Sequence, residues 1–137
     1  FNHSPRISKK VRGTDREDIK RSPLTKYKKY LDLENPEHIC FHTGKKIEDT
    51  NLSIDHVLPW SYLFSDDLWN LVYVDRSYNS SKGNQIPSEE TINKLESRNL
   101  SLMELVKSKG ISDKNIEELQ LSITNGLVKK FWVGCQG

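Results

Sequence analysis

Asp55 and His56 stand side by side in Ser53-Ile54-Asp55-His56-Val57-Leu58, a β-prone run that stops at Pro59. A carboxylate can hold a cation, and a neutral imidazole, with a reference pKa of about 6.5, can take a proton from water near neutral pH. Asn70 follows in a loop, and Asn79 and Lys82 come three residues apart in a stretch that reads as a short helix, on one of its faces. One local unit therefore gathers candidate metal ligands, a base and a cation. Taken alone, an acid next to a histidine is usually a polar pair without catalytic meaning. The order and spacing of the companions give this one its weight.

The elements that must position these residues can be read from the same stretch. Ser53 to Leu58 and Leu71-Val72-Tyr73-Val74 read as two short strands. The connection between them is too long for a tight hairpin and holds a helical turn at Asp66-Asp67-Leu68-Trp69. Asp75 is a good N-cap for a helix through Arg76, Tyr78, Asn79 and Lys82, closed by Gly83. Upstream, Leu24, Tyr27, Tyr30 and Leu31 recur at helical spacing and predict an amphipathic helix that ends before Pro36. Downstream, Pro87-Ser88 starts a helix with Glu89 and Glu90 at its positive end, and two more follow at Ser101–Lys109 and Ser112–Ile123, separated by Gly110. Neighbours on a regular strand face opposite ways, so a site using both Asp55 and His56 predicts irregular backbone between Asp55 and Trp60.

The runs Ser53 to Ser61, Leu68-Trp69-Asn70-Leu71-Val72 and Asn79-Ser80-Ser81-Lys82-Gly83-Asn84 resemble the HNH endonuclease family. Cys40-Phe41-His42-Thr43-Gly44-Lys45-Lys46-Ile47 resembles the knuckle that leads into its ββα-metal finger. The resemblance implies an α+β fold with a ββα-metal (His-Me finger) core at about residues 38–88 and flanking helices. It makes His56 the general base, Asn70 the residue that orients it, and Asp55 and Asn79 the metal ligands, with Lys82 adding a positive charge near the scissile phosphate. The last letter of the motif is often His. Here it is Asn79, as in the HNH domain of RNA-guided nucleases, which the continuation Ile86-Pro87-Ser88-Glu89 also resembles. A carboxylate and an amide oxygen suit a hard ion, Mg²⁺ with Mn²⁺ also compatible, better than zinc.

Many members of that family staple the finger with a structural zinc on two Cys-x-x-Cys pairs. In this chain Thr43 stands three residues after Cys40, and Arg76 and Tyr78 are among the residues found where the second pair would be. No structural zinc is expected, since Cys40 with His38 or His42 is at most a partial ligand set. Cys40 then reads as a small buried residue. The finger must be held by packing, with Ile47, Ile54, Val57, Trp60, Leu63, Trp69, Leu71, Val72 and Tyr73 as the expected core.

Length and charge set the wider frame. The 137 residues suit a single domain, and their 34% hydrophobic content supports a core. No run approaches the roughly 18 apolar residues that span a bilayer. The chain begins at Phe1 and its single methionine is Met103, so a piece of a longer protein is expected. Two cysteines and no basic-then-apolar leader favour a reducing, cytoplasmic setting. The net charge of +2 is polarised, with ten Lys or Arg against three acids before residue 31. Residues 1–21 read as a basic arm or linker, and 22–137 as the nuclease domain, with its C-terminal helices over 88–131. Lys9, Lys10, Arg12, Arg76 and Lys82 are the candidate phosphate contacts. DNA is the expected partner, and a homodimer or further domains would be needed to cut both strands. The expected activity is hydrolysis of phosphodiester bonds in DNA by a module of a restriction or phage-defence protein. The alternatives are a module of an RNA-guided or homing enzyme, and a non-catalytic DNA-binding module.

Overall fold

A computed structural model describes residues 24–78 and 85–136. Its first element follows the apolar spacing of the sequence: a 3-10 turn at Leu24–Tyr27 runs into helix α1, Lys28–Glu34, and buries Tyr27, Tyr30 and Leu31. A knuckle then turns at residues 40–44, closed by hydrogen bonds from Cys40 N to Lys45 O and from Gly44 N to Cys40 O. Gly44 takes φ +73°, which favours a residue without Cβ. Phe41 N donates to Tyr73 O at 2.9 Å and so fastens the knuckle to the strand below.

Strands β1, Leu52–His56, and β2, Leu71–Asp75, pair antiparallel, with Asp55 opposite Val72 and His56 opposite Leu71. The α+β architecture is the expected one. The first strand is shorter than its sequence pattern predicts, because Val57 and Leu58 leave the extended path at a bend. Both are buried and feed the short helix α2, Trp60–Leu63, which the sequence pattern does not predict. A 3-10 turn at Leu68–Asn70, two residues later than predicted, returns the chain to β2.

Beyond the finger, the two helices expected over 88–109 are one: α3, Glu89–Ser108, twenty residues long. Neither Gly nor Pro interrupts it, so nothing forces a break. Ser88 caps it by accepting from Thr91 N at 3.2 Å. Helix α4, Lys114–Thr124, starts at Asp113, which accepts from Ile116 N at 3.0 Å. A last helix, α5, Leu127–Cys135, is not separated in the sequence pattern and carries the helical region past the expected limit of residue 131. It crosses closely over α2: a Cβ on Gly134 would fall 2.3 Å from the Tyr62 hydroxyl. Trp69 stacks on Phe131, and Trp132 Nε1 donates to Pro87 O at 2.8 Å.

The core is continuous between finger and helices. Ile47, Val57, Trp69, Leu71, Val72 and Tyr73 are buried in it, as is Cys40, together with Leu95, Leu102, Val106 and Leu119. Ile54 and Leu63 only pack against its edge, and Trp60 is half-buried, so these three expected core residues are peripheral. Packing is not the whole of what holds the finger. From α3, Arg98 donates to Leu71 O at 2.6 Å and Leu68 O at 3.1 Å, and Asn99 donates to Trp69 O at 3.0 Å. Three backbone carbonyls around Asn70 are thus gripped by two buried side chains. Burial lowers the Arg98 pKa to about 10 against the opposing pull of Glu34, 3.7 Å away.

Candidate active site

Strand β1 delivers Asp55 and His56 as adjacent residues, and the backbone is regular through both, bending only at residues 57–58. The irregularity predicted between Asp55 and Trp60 therefore begins after His56. As alternation on a strand requires, the two side chains meet different neighbours. Asp55 is directed to the knuckle, where its Oδ2 lies 3.4 Å from His42 Nε2. His56 is directed to the loop after α2, where its Nε2 lies 2.7 Å from Asp66 Oδ1. A carboxylate can only accept, so in each pair the histidine Nε2 carries the hydrogen and donates.

Asp66 is held from outside the finger. Tyr27, in the N-terminal 3-10 turn, donates its hydroxyl to the Asp66 backbone carbonyl at 3.1 Å. Burial, with the carboxylates of Asp66 and Asp67 next, pushes the Tyr27 pKa up to about 12, so this phenol stays protonated and keeps donating. The imidazole of His56 is half-buried, and with Nε2 engaged by Asp66 its Nδ1 is the nitrogen left to take a proton.

The Asn70 side chain bonds backbone rather than the imidazole. It is fully buried, and its amide bonds the backbone of Leu58 twice: Oδ1 accepts from Leu58 N at 2.8 Å and Nδ2 donates to Leu58 O at 3.0 Å. Its own carbonyl accepts from Val57 N at 3.0 Å. The side chain in contact with the His56 imidazole is that of Asp66, while Asn70 meets the backbone two residues further on. An amide buried this deeply must satisfy both its donor and its acceptor, and the bend at Leu58 supplies both.

Knuckle and β2 meet at Cys40, whose sulfur accepts from Asp75 N at 3.4 Å. Burial alone would raise the thiol pKa, but donors from Thr43, Asp75 and His42 outweigh it and the net shift is downward. After β2, residues 76–78 are helical, and the Asp75 carboxylate accepts from Ser77 N at 2.9 Å, as expected of a helix start. Arg76 is exposed there. Tyr78, the residue before Asn79, lies with its ring stacked on His42, centroids 4.9 Å apart.

Asn79 and Lys82 lie outside the described residues, as do Lys9, Lys10 and Arg12. Among the described residues, no group of three or more His, Cys, Asp and Glu side chains converges as a metal site. Asp55 is 8% exposed, and its oxygens are hard donors that fit a hard divalent cation.

Sequence reasoning does not assign Asp66, His42 or Tyr27 to the site. Asp66 lies in a Ser-Asp-Asp run typical of loops, and only the fold brings it to an imidazole ten positions away. His42 enters the sequence reading only within the knuckle motif and as part of a partial zinc set, and Tyr27 carries no signal beyond helical spacing. A family model described as HNH endonuclease matches residues 40–88, a little over a third of the chain. That segment holds the knuckle and both strands, together with Asp55, His56, Asp66 and Asn70, while Tyr27 lies before it.

Proposed function

We propose that this chain, which carries an HNH endonuclease segment, is a Mg²⁺-dependent endonuclease that hydrolyses phosphodiester bonds in DNA, with His56 as its base. The observation that carries the reading is the contact of His56 Nε2 with Asp66 at 2.7 Å, next in sequence to the buried carboxylate of Asp55. A histidine whose Nε2–H is committed to a carboxylate is fixed in one tautomer, with the Nδ1 lone pair ready for a proton. Asp66 also stabilises the imidazolium that forms when that proton arrives. Asn70, by holding both backbone groups of Leu58, fixes the turn through which β1 leaves, and with it the placement of the His56 ring.

Asp55 and Asn79 are the residues that would hold the metal. Tyr78 stacks on His42 and His42 meets Asp55, so the residue preceding Asn79 belongs to the same cluster as Asp55. When bound, a divalent ion supplies Lewis-acid stabilisation of the phosphate and of the leaving 3′ oxygen. His56 takes the proton of the attacking water, and Lys82 adds positive charge near the phosphate. Lys9, Lys10, Arg12 and Arg76 are assigned to the DNA backbone, which they would contact without reading sequence. Placement in a restriction or phage-defence protein follows from the family resemblance of the same segment.

The test is nicking of a supercoiled plasmid with Mg²⁺ and with excess chelator, by the wild type and by His56→Ala. General base catalysis is typically worth ~10² to 10⁴ in rate. The mutant is expected to lose turnover on that scale while binding DNA and Mn²⁺ as the wild type does. Undiminished nicking by His56→Ala would refute the assignment.

A further inference from the structure

His42 belongs to the knuckle rather than to either strand, yet it touches both Asp55 and Tyr78. Its Nε2 lies 3.4 Å from Asp55 Oδ2, with side-chain exposures of 8% and 10%, so the contact is shielded from water. Its ring stacks on Tyr78 at 29° between planes, and Phe41 meets it edge-on at 5.2 Å. The imidazole is therefore fixed on its face and on its edge while one nitrogen reaches the carboxylate. The knuckle beneath it is rigid in its turn, closed by Cys40–Lys45 and Cys40–Gly44 backbone bonds and tied to β2 at Tyr73.

We propose that His42 is a positioning residue for the metal-binding carboxylate, an imidazole donor that sets the Asp55 rotamer. A ligating carboxylate needs its non-ligating lone pairs held, or it rotates away from the geometry a small octahedral ion demands. Asp55 lies on a strand that fixes its Cα but leaves its χ angles to its neighbours, and His42 is a neighbour with a donor aimed at one of its two oxygens. The stack on Tyr78 keeps the ring against that contact.

This inference rests on the reading of Asp55 as a metal ligand, and the experiment separates the two. Direct Mn²⁺ binding, read by the electron paramagnetic resonance of the free ion, is compared for the full-length wild type, Asp55→Ala, His42→Phe and His42→Gln. Phe keeps a ring on Tyr78 without the donor, whereas Gln keeps a donor without the ring. Removing an outer partner of a metal ligand typically costs 10- to 100-fold in metal affinity. His42→Phe is expected to raise the Mn²⁺ dissociation constant by about that range, with His42→Gln within a few-fold of wild type. At saturating Mg²⁺ the nicking rate of His42→Phe should return close to wild type, a split that general loss of structure would not give. If His42→Phe binds Mn²⁺ as the wild type does while Asp55→Ala does not, the positioning role is overturned and the ligand assignment stands. If Asp55→Ala also binds as the wild type does, the ligand assignment fails and the positioning role with it. Equal weakening in His42→Phe and His42→Gln overturns the role of the donor.

Discussion

At His56 the bond to Asp66 defines what the ring can do, because a 2.7 Å charge-assisted contact on Nε2 leaves Nδ1 as the single site of proton uptake. Replacing Asp66 by Asn keeps the size of the side chain but removes its charge, so the imidazolium loses its stabilising partner and the tautomer is no longer dictated. Asp66→Asn is expected to reduce the nicking rate by about 10- to 100-fold with DNA affinity unchanged, measured in single turnover at saturating Mg²⁺. A rate equal to wild type would mean that Asp66 is a bystander. Two of the residues nearest the proposed chemistry, His42 and Asp66, are ordinary polar residues in the sequence. Asp55 and His56 stand out there because their type, adjacency and companions match a known chemistry.

Among the elements, the turn from β1 into α2 depends on one amide. Asn70→Ala removes two buried hydrogen bonds and leaves Leu58 N–H and C=O without those partners, at a cost of about 1–3 kcal/mol for each unsatisfied group. Urea unfolding should show a loss of that order, and nicking should fall as well, since the turn follows His56 directly. The start of α4 offers a pH-dependent test. Burial would raise the Asp113 pKa, but the Tyr30 hydroxyl and the Ile116 N–H outweigh it and hold this carboxyl below its ordinary 3.8. A folded-state pKa below the unfolded one gives stability that is present above about pH 3.8 and disappears as the pH falls through the folded value. The urea midpoint of Asp113→Asn should therefore lie below wild type at pH 7, with the two converging as the pH falls through the folded value. The helix itself is legible in the apolar pattern over Ser112–Ile123, whereas its cap at Asp113 and the tie of that cap to Tyr30, 83 residues earlier, come from the structure.

For the molecule as a whole, the finger is not freestanding. Arg98 and Asn99 from α3 grip the turn that carries Asn70, Tyr27 from the N-terminal turn holds Asp66, and Phe131 of α5 covers Trp69. These grips tie the finger to the helices around it. The charge polarity carries the remaining expectation: if residues 1–21 contact phosphates, their removal should weaken DNA binding and flatten its dependence on salt, by a slope of about 0.9 for each phosphate they neutralise. Filter binding over a range of KCl concentrations measures this, and an unchanged slope would assign the arm to linkage or solubility. No helix among the described residues is long and apolar enough to cross a membrane, in keeping with the lack of a long apolar run in the chain. What the sequence alone determined is local: the two strands, the helix start at Ser88, and the choice of Asp55, His56 and Asn70 as site candidates, because periodicity, capping and motif spacing act over a few residues. Which groups hold those side chains was decided by the tertiary structure. Tyr27 reaches Asp66 across 39 positions and Arg98 reaches Leu68 across 30, and contacts between residues so distant in the chain leave no periodic trace in it.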